Sequence, residues 1–275
     1  VPKQILVVLS EYGYWGEELV GPVEAFDAAG YRVTFATPTG ERAHALPPSL
    51  DAEYIDPPLG RSVTTRDMAR RARELDESSR LDNPLSLADL IPERPYYSAL
   101  NHLRELEDYH ARRDAAVLDL VTGFDGLVIV GGSGPIVDLA NNERLHELVL
   151  AFVSADKPIL AECYGVAVLA FARDLETRAS LLWGKHVTGH PKEYDYKDGT
   201  GFLGVDFNMG PPPYPLEYIL RDATGPDGGF HGNVGKETSV IVDYPFVTAR
   251  STPDSAPSGA LMVEVLDNGL RRHGW

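Results

Sequence analysis

The first 37 residues run strand, helix, strand, and that order limits the fold more than any other feature of the chain. Gln4 to Ser10 is an apolar stretch of strand length, followed by a turn that carries Gly13 and Gly16. From about Glu17 to Ala29 the apolar residues Leu19, Val23 and Phe26 recur at helical spacing, and Gly30 ends the run. Tyr31 to Thr37 reads as a second strand, with Arg32 and Thr34 alternating with apolar neighbours. A helix between two strands returns the chain to the end of the sheet it started from, so the strands pair in parallel. The expected class is α/β, a mostly parallel sheet with helices on both faces.

The rhythm breaks after Pro38. Residues 38–63 contain Pro47, Pro48, Pro57 and Pro58 and hold no clean period. Thr65 to Arg80 and Glu93 to Leu120 are expected as helices, with Pro84 and Pro92 between them. Residues 41–120 therefore read as a lid or cap inserted into one α/β domain spanning 1–275, packed over the C-terminal edge of the sheet. The stripe Tyr96, Leu100, Leu103, Leu106 and Tyr109 reads as core packing. Strand signals resume at Gly126 to Val130, which ends in Gly131-Gly132, and helical segments follow near 135–140 and 143–153. Pro158 to Glu162 is a strand, Tyr164 to Arg173 a helix, and His186 to Gly189 a short strand. Ser239 to Asp243 and Phe246 to Arg250 form a hairpin around Tyr244-Pro245, before a last helix from about Ala256 to Leu266.

A net charge of −16 argues against nucleic acid, whose phosphates most of the surface would repel. Arg66, Arg70, Arg71 and Arg73 are interleaved with Asp67, Glu74, Asp76 and Glu77, the pattern of a solvated helix face. No membrane partner is expected, because Ile5 to Leu9 is far shorter than the ~20 residues of a span and lacks the pattern of a signal peptide. One cysteine excludes an internal disulfide and a thiolate cluster, and a reducing, cytoplasmic setting suits it.

That cysteine sits in Ala161-Glu162-Cys163-Tyr164-Gly165, directly at the end of an apolar strand. A nucleophile displayed on so sharp a turn needs small residues two places to either side, and Ala161 and Gly165 supply them. The following helix aims its N-terminus at the sulfur, so the expectation is a low-pKa thiol. Gly131-Gly132-Ser133-Gly134 ends the neighbouring strand at the same edge, and the amides of Gly132 and Tyr164 could form an oxyanion hole. This glycine run does not fit the dinucleotide pattern G-x-G-x-x-G.

Taken in order, Glu17-Glu18 with Pro22, Gly131-Gly132, the Cys163 elbow, His186-Val187-Thr188-Gly189-His190-Pro191 and Thr248-Ala249-Arg250-Ser251 resemble the DJ-1/PfpI superfamily. The resemblance covers 1–40 and 121–270, and the long insertion is closer to the Hsp31-like branch. It implies a flavodoxin-like fold, no cofactor and a homodimer. It also implies that Glu18 is the protonated carboxyl against the cysteine sulfur and that His190 is the site histidine. Asp195 falls near the acid of the Hsp31-like triad. Tyr164 departs from that branch, which carries its base histidine immediately after the cysteine; a phenol is no base near neutral pH. Either His190 substitutes or methylglyoxal turnover is weak. Cys-Tyr-Gly is also similar to the elbow of class I glutamine amidotransferases, but His190-Pro191-Lys192-Glu193 follows Cys163 by only 27 residues. His186, His190 and Glu193 make a poor metal set, since Gly189 and Pro191 preclude a helix. The implied activity is a cofactor-free conversion of a small electrophilic carbonyl, of the glyoxalase-III type or a related hydratase or hydrolase. A redox-responsive or chaperone-like protein and a specialised enzyme for a larger substrate stay open as alternatives.

Overall fold

The computed structural model describes residues 1–57, 59–96, 101–195 and 215–275. The opening unit is β1 (Gln4–Val8), α1 (Gly16–Ala28) and β2 (Arg32–Thr37). Next come α2 (Arg66–Asp76), β3 (Leu85–Ser86), α3 (Leu87–Leu90) and α4 (His102–Gly123). The central stretch holds β4 (Gly126–Ile129), α5 (Pro135–Asp138), α6 (Glu143–Ser154), β5 (Ile159–Glu162) and α7 (Val166–Phe171). Then follow β6 (His186–Val187), α8 (Lys192–Asp195), α9 (Leu216–Thr224) and β7 (Gly229–Phe230). The chain closes with β8 (Val240–Asp243), β9 (Phe246–Ala249), α10 (Ser255–Asn268) and β10 (Arg272–His273).

Among the described residues eight strands form one sheet in the order β10-β8-β9-β5-β4-β1-β2-β3, and β6 and β7 pair separately. From β9 to β3 every neighbour is parallel; β8 runs against them, and β10, antiparallel to β8, runs with them again. The expected hairpin is β8–β9, turning at a cis Tyr244-Pro245 bond. Strand residues alternate between two cores, as a period of two requires. Leu6, Val8, Leu127, Ile129 and Ile159 face a core closed by Leu145, Leu148 and Phe152 of α6. Ile5, Val7, Val128 and Leu160 face the opposite core, with Leu19, Val23 and Phe26 of α1 and Met262 of α10. A sheet buried on both faces explains why every residue of β4 and β5 is buried and why, Glu162 apart, all are apolar or glycine.

The 41–120 stretch departs from a simple lid. β3 extends the sheet beside β2, and α4 lays Val117, Leu120 and Val121 against the α6 core. The expected stripe is corrected accordingly: Tyr109 is buried, but Tyr96 and Leu103 are exposed, and Leu100, like Pro58, lies outside the described residues. Burial on α4 is concentrated toward the end that feeds β4, where the sheet lies beneath it. The second expected helix also starts later, at His102, and the first stops at Asp76. α2 packs Met68 and Ala72 on Val20, while Arg70 pairs with Asp67 and Glu74 on its solvated side. The turn at 44–50 lies against the loop that leads into α1. It hydrogen-bonds Tyr14 through His44 and Leu46, and Ser49 Oγ accepts from the Gly16 amide at 2.9 Å. It thus braces the start of α1. Among the described residues no helix is long and apolar enough to cross a membrane.

Candidate active site

β5 ends at Glu162, and the chain turns through Cys163 in a left-handed conformation, φ 50°, into a single 3-10 turn and then α7. Such a conformation costs a non-glycine residue of order 1–3 kcal/mol and persists only where the surroundings impose it. The surroundings here are tight. A Cβ on Gly165 would lie 2.8 Å from the Ile129 carbonyl oxygen, and one on Gly131 would lie 2.6 Å from Cys163 Cβ. The small residue demanded after the elbow and the glycine ending β4 are both packing requirements.

Four groups from separate elements meet at the sulfur. Glu18, in the first turn of α1, is buried and hydrogen-bonded to Cys163 and the Gly132 amide. Burial, more than any other cause, pushes its carboxyl up to about 8; those hydrogen bonds pull against it and Glu17 adds to it. Near neutral pH Glu18 therefore keeps its proton. The N–H groups of Gly132 and Tyr164 both point at the sulfur. His190 places Nδ1 3.3 Å from Cys163 Sγ, and its Nε2 lies 3.0 Å from Asp195 Oδ1. The ring of Tyr164 stacks on His190 with centroids 4.3 Å apart and planes at 25°, and its hydroxyl donates to the same Asp195 Oδ1. Tyr194 meets the His190 ring edge-on at 5.7 Å.

The structure thus brings Glu18, Gly132, Cys163, Tyr164, His190 and Asp195 into one cluster. It does not bring His186 there: His186 Nδ1 lies 2.8 Å from His231 Nε2, and its ring stacks on Trp275. One expectation is reversed. Burial pushes the Cys163 thiol well above the ordinary range, the Glu18 and then the Asp195 carboxylate push the same way, and the two amides only partly offset this. The helix behind the sulfur is six residues long, and Cys163 is 5% exposed, so loss of water outweighs the helix field. The resting group is a thiol that needs a proton acceptor.

Several groups escaped notice in the sequence. Glu162, the spacer before the cysteine, is wholly buried, and its carboxyl is pushed well up by burial. Ser258 Oγ hydrogen-bonds both Glu162 and the Ser255 carbonyl, the latter at 2.8 Å. The hydroxyls of Ser258 and Ser255 pull the Glu162 carboxyl down, against burial and the neighbouring Glu18, which together keep it raised. Asp254 stands 3.3 Å from the buried Arg250 Nε, and burial raises its carboxyl. A glutamate inside an apolar strand was the available signal for the first of these.

Residues 9–189 match the family model described as ThiJ/PfpI family-like. A curated relative named "Putative cysteine protease YraA", from Bacillus subtilis (strain 168), is 31% identical over 119 residues, or 40% of this chain. The match spans 66% of that protein, just under two thirds of its length. Among solved structures, the Rapid Encystment Protein 24 KDa of Francisella tularensis has a TM-score of 0.65 at 19% identity, covering 96% of this chain and 99% of that one. Glyoxalase III from Candida albicans also scores 0.65, at 15% identity, covering 97% and 98%. Drosophila melanogaster DJ-1beta scores 0.54 at 16% identity, covering 97% and 91%. At such identities these likenesses concern the fold alone.

Proposed function

The chain belongs to the ThiJ/PfpI family-like group of the DJ-1/PfpI superfamily, and from that premise we propose a cysteine-dependent enzyme acting on a small 2-oxoaldehyde. The observation that carries this is the line Cys163 Sγ, His190, Asp195, with separations of 3.3 Å and 3.0 Å. Asp195 Oδ1 stands 3.0 Å from His190 Nε2, off the line of a formed hydrogen bond; a small turn of the ring aligns the two, which puts the ring proton on Nε2 and leaves Nδ1 free to take the thiol proton. The sulfur then bonds to the aldehyde carbon as the carbonyl electron pair moves onto oxygen, which the Gly132 and Tyr164 amides hold. Return of the proton to that oxygen gives a hemithioacetal. Its C1 hydrogen leaves as a proton and the C2 carbonyl gains one at oxygen, giving an enediol. Protonation of C2 and loss of the C1 hydroxyl proton leave a thioester, which water cleaves to the 2-hydroxy acid and the free thiol. Carbon 1 is oxidised and carbon 2 reduced, so no external oxidant enters.

The base that Tyr164 cannot be is His190 in this reading, and Glu18 serves as the neutral carboxyl against the sulfur. A thiol 5% exposed and pushed up in pKa fits a redox sensor poorly, because sensors rely on accessible thiolates. It also suits a small electrophile better than an extended peptide. The test is lactate formation from methylglyoxal by pure protein. We expect turnover that Cys163→Ser abolishes and that His190→Ala lowers ~10²-fold or more. Equal activity in wild type and His190→Ala overturns the assignment of the base.

A further inference from the structure

We infer that Tyr164 is a positioning residue, whose hydroxyl fixes the Asp195 carboxylate in the attitude that supports His190 as acceptor of the Cys163 proton; this rests on the proton relay proposed above. Asp195 is the last of the four described residues of α8, and its side chain is 6% exposed. Its Oδ1 receives the Tyr164 hydroxyl and faces His190 Nε2, while its Oδ2 is buried with no hydrogen-bond partner among the described residues. A buried carboxylate stays ionised only where donors compensate the lost water. Without the phenol, this carboxylate loses the one neutral donor it has among the described residues. The same residue contributes its backbone N–H to the sulfur and its ring to one face of His190. Tyr164 thus touches three members of the relay from one position beside the nucleophile. The position that appears in the sequence to have lost a base carries the group that holds the relay's acid in place.

The experiment is a double-mutant cycle read by the pH dependence of Cys163 alkylation with iodoacetamide, which needs no substrate. Wild type, Tyr164→Phe, Asp195→Asn and the double variant are compared, each checked by thermal melting. Tyr164→Phe keeps the stacked ring and loses only the hydroxyl. The Asp195 charge by itself pushes the thiol up, but the imidazolium it supports stands 3.3 Å from the sulfur and dominates, so we expect the inflection to move upward and the rate at pH 7 to fall roughly tenfold, in the same sense as Asp195→Asn. The double variant is expected to be no slower than Asp195→Asn, since both changes break one chain of contacts. A Tyr164→Phe profile that superposes on wild type, an opposite shift, or losses that multiply in the double variant would each overturn the inference. Tyr164→Leu, equally unable to donate, takes its place should the phenylalanine variant fail to fold. Failure of the functional reading is separate: absent methylglyoxal turnover with a coupled cycle refutes the substrate and leaves the role of Tyr164 standing.

Discussion

At the residue scale, the protonation states around Cys163 govern what the site does. Glu18 titrates at about 8, so a carboxylate forms beside the sulfur only in mildly alkaline solution, where it opposes loss of the thiol proton. Glu18→Gln should therefore lower the pH at which Cys163 alkylation inflects; an upward shift would mean the carboxyl acts chiefly as a donor to thiolate. Stability carries the same signature. Between about 4.5, the ordinary value, and about 8 the folded state holds a proton on Glu18 that the unfolded state has released. Stability then falls with rising pH, by ~1.4 kcal/mol per pH unit for each such proton, and the contribution is lost above the folded value. Glu162 acts in the same direction. Urea midpoints should drop from pH 5.5 to pH 8.5 in wild type and drop less in Glu18→Gln and Glu162→Gln. An equal drop in all three would refute the buried neutral acids.

At the element scale, the 41–120 stretch is divided between sheet, helical layer and brace. α4 is a structural helix where it meets the α6 core, which can be tested at two leucines of one element. Leu120 is buried and Leu103 is 77% exposed. Leu120→Ala should cost ~2–5 kcal/mol in chemical denaturation, through lost burial and the cavity left behind. Leu103→Ser should stay within ~0.5 kcal/mol. A large loss at Leu103 would restore the stripe as a packed face. The turn at 44–50 matters for another reason, since its hydrogen bonds to Tyr14 and Gly16 hold the start of α1, two residues before Glu18.

At the scale of the whole molecule, the fold gathers a site from residues between 18 and 195 at one edge of the sheet. β1, β4 and β5 are adjacent and parallel, so the turns that follow them lie side by side. Those turns lead to Glu18, carry Gly132 and carry Cys163, the arrangement by which open α/β sheets form sites beyond their carboxyl edge. The homodimer implied by family resemblance is checked by sedimentation velocity, where the mass of one 30.1 kDa chain would exclude it.

The sequence by itself determined the local geometry. Hydrophobic period set the strands and helices, strand–helix order made the sheet parallel, and the small residues around Cys163 placed the elbow, because each of these depends on near neighbours. The motif order also brought Glu18, His190 and Asp195 under consideration. Only the tertiary structure decided how they act. His190 reaches the sulfur from 27 residues away and His186 does not, a choice made by the path of β6 and the loop beyond it. Tyr164 meets Asp195 across 31 residues, a contact no spacing rule contains. The thiol pKa rises instead of falling, and Glu162 is a neutral acid, because both respond to the loss of water on every side. Burial is a property of the assembled chain, and here it outweighs the short helix that the sequence places behind the sulfur.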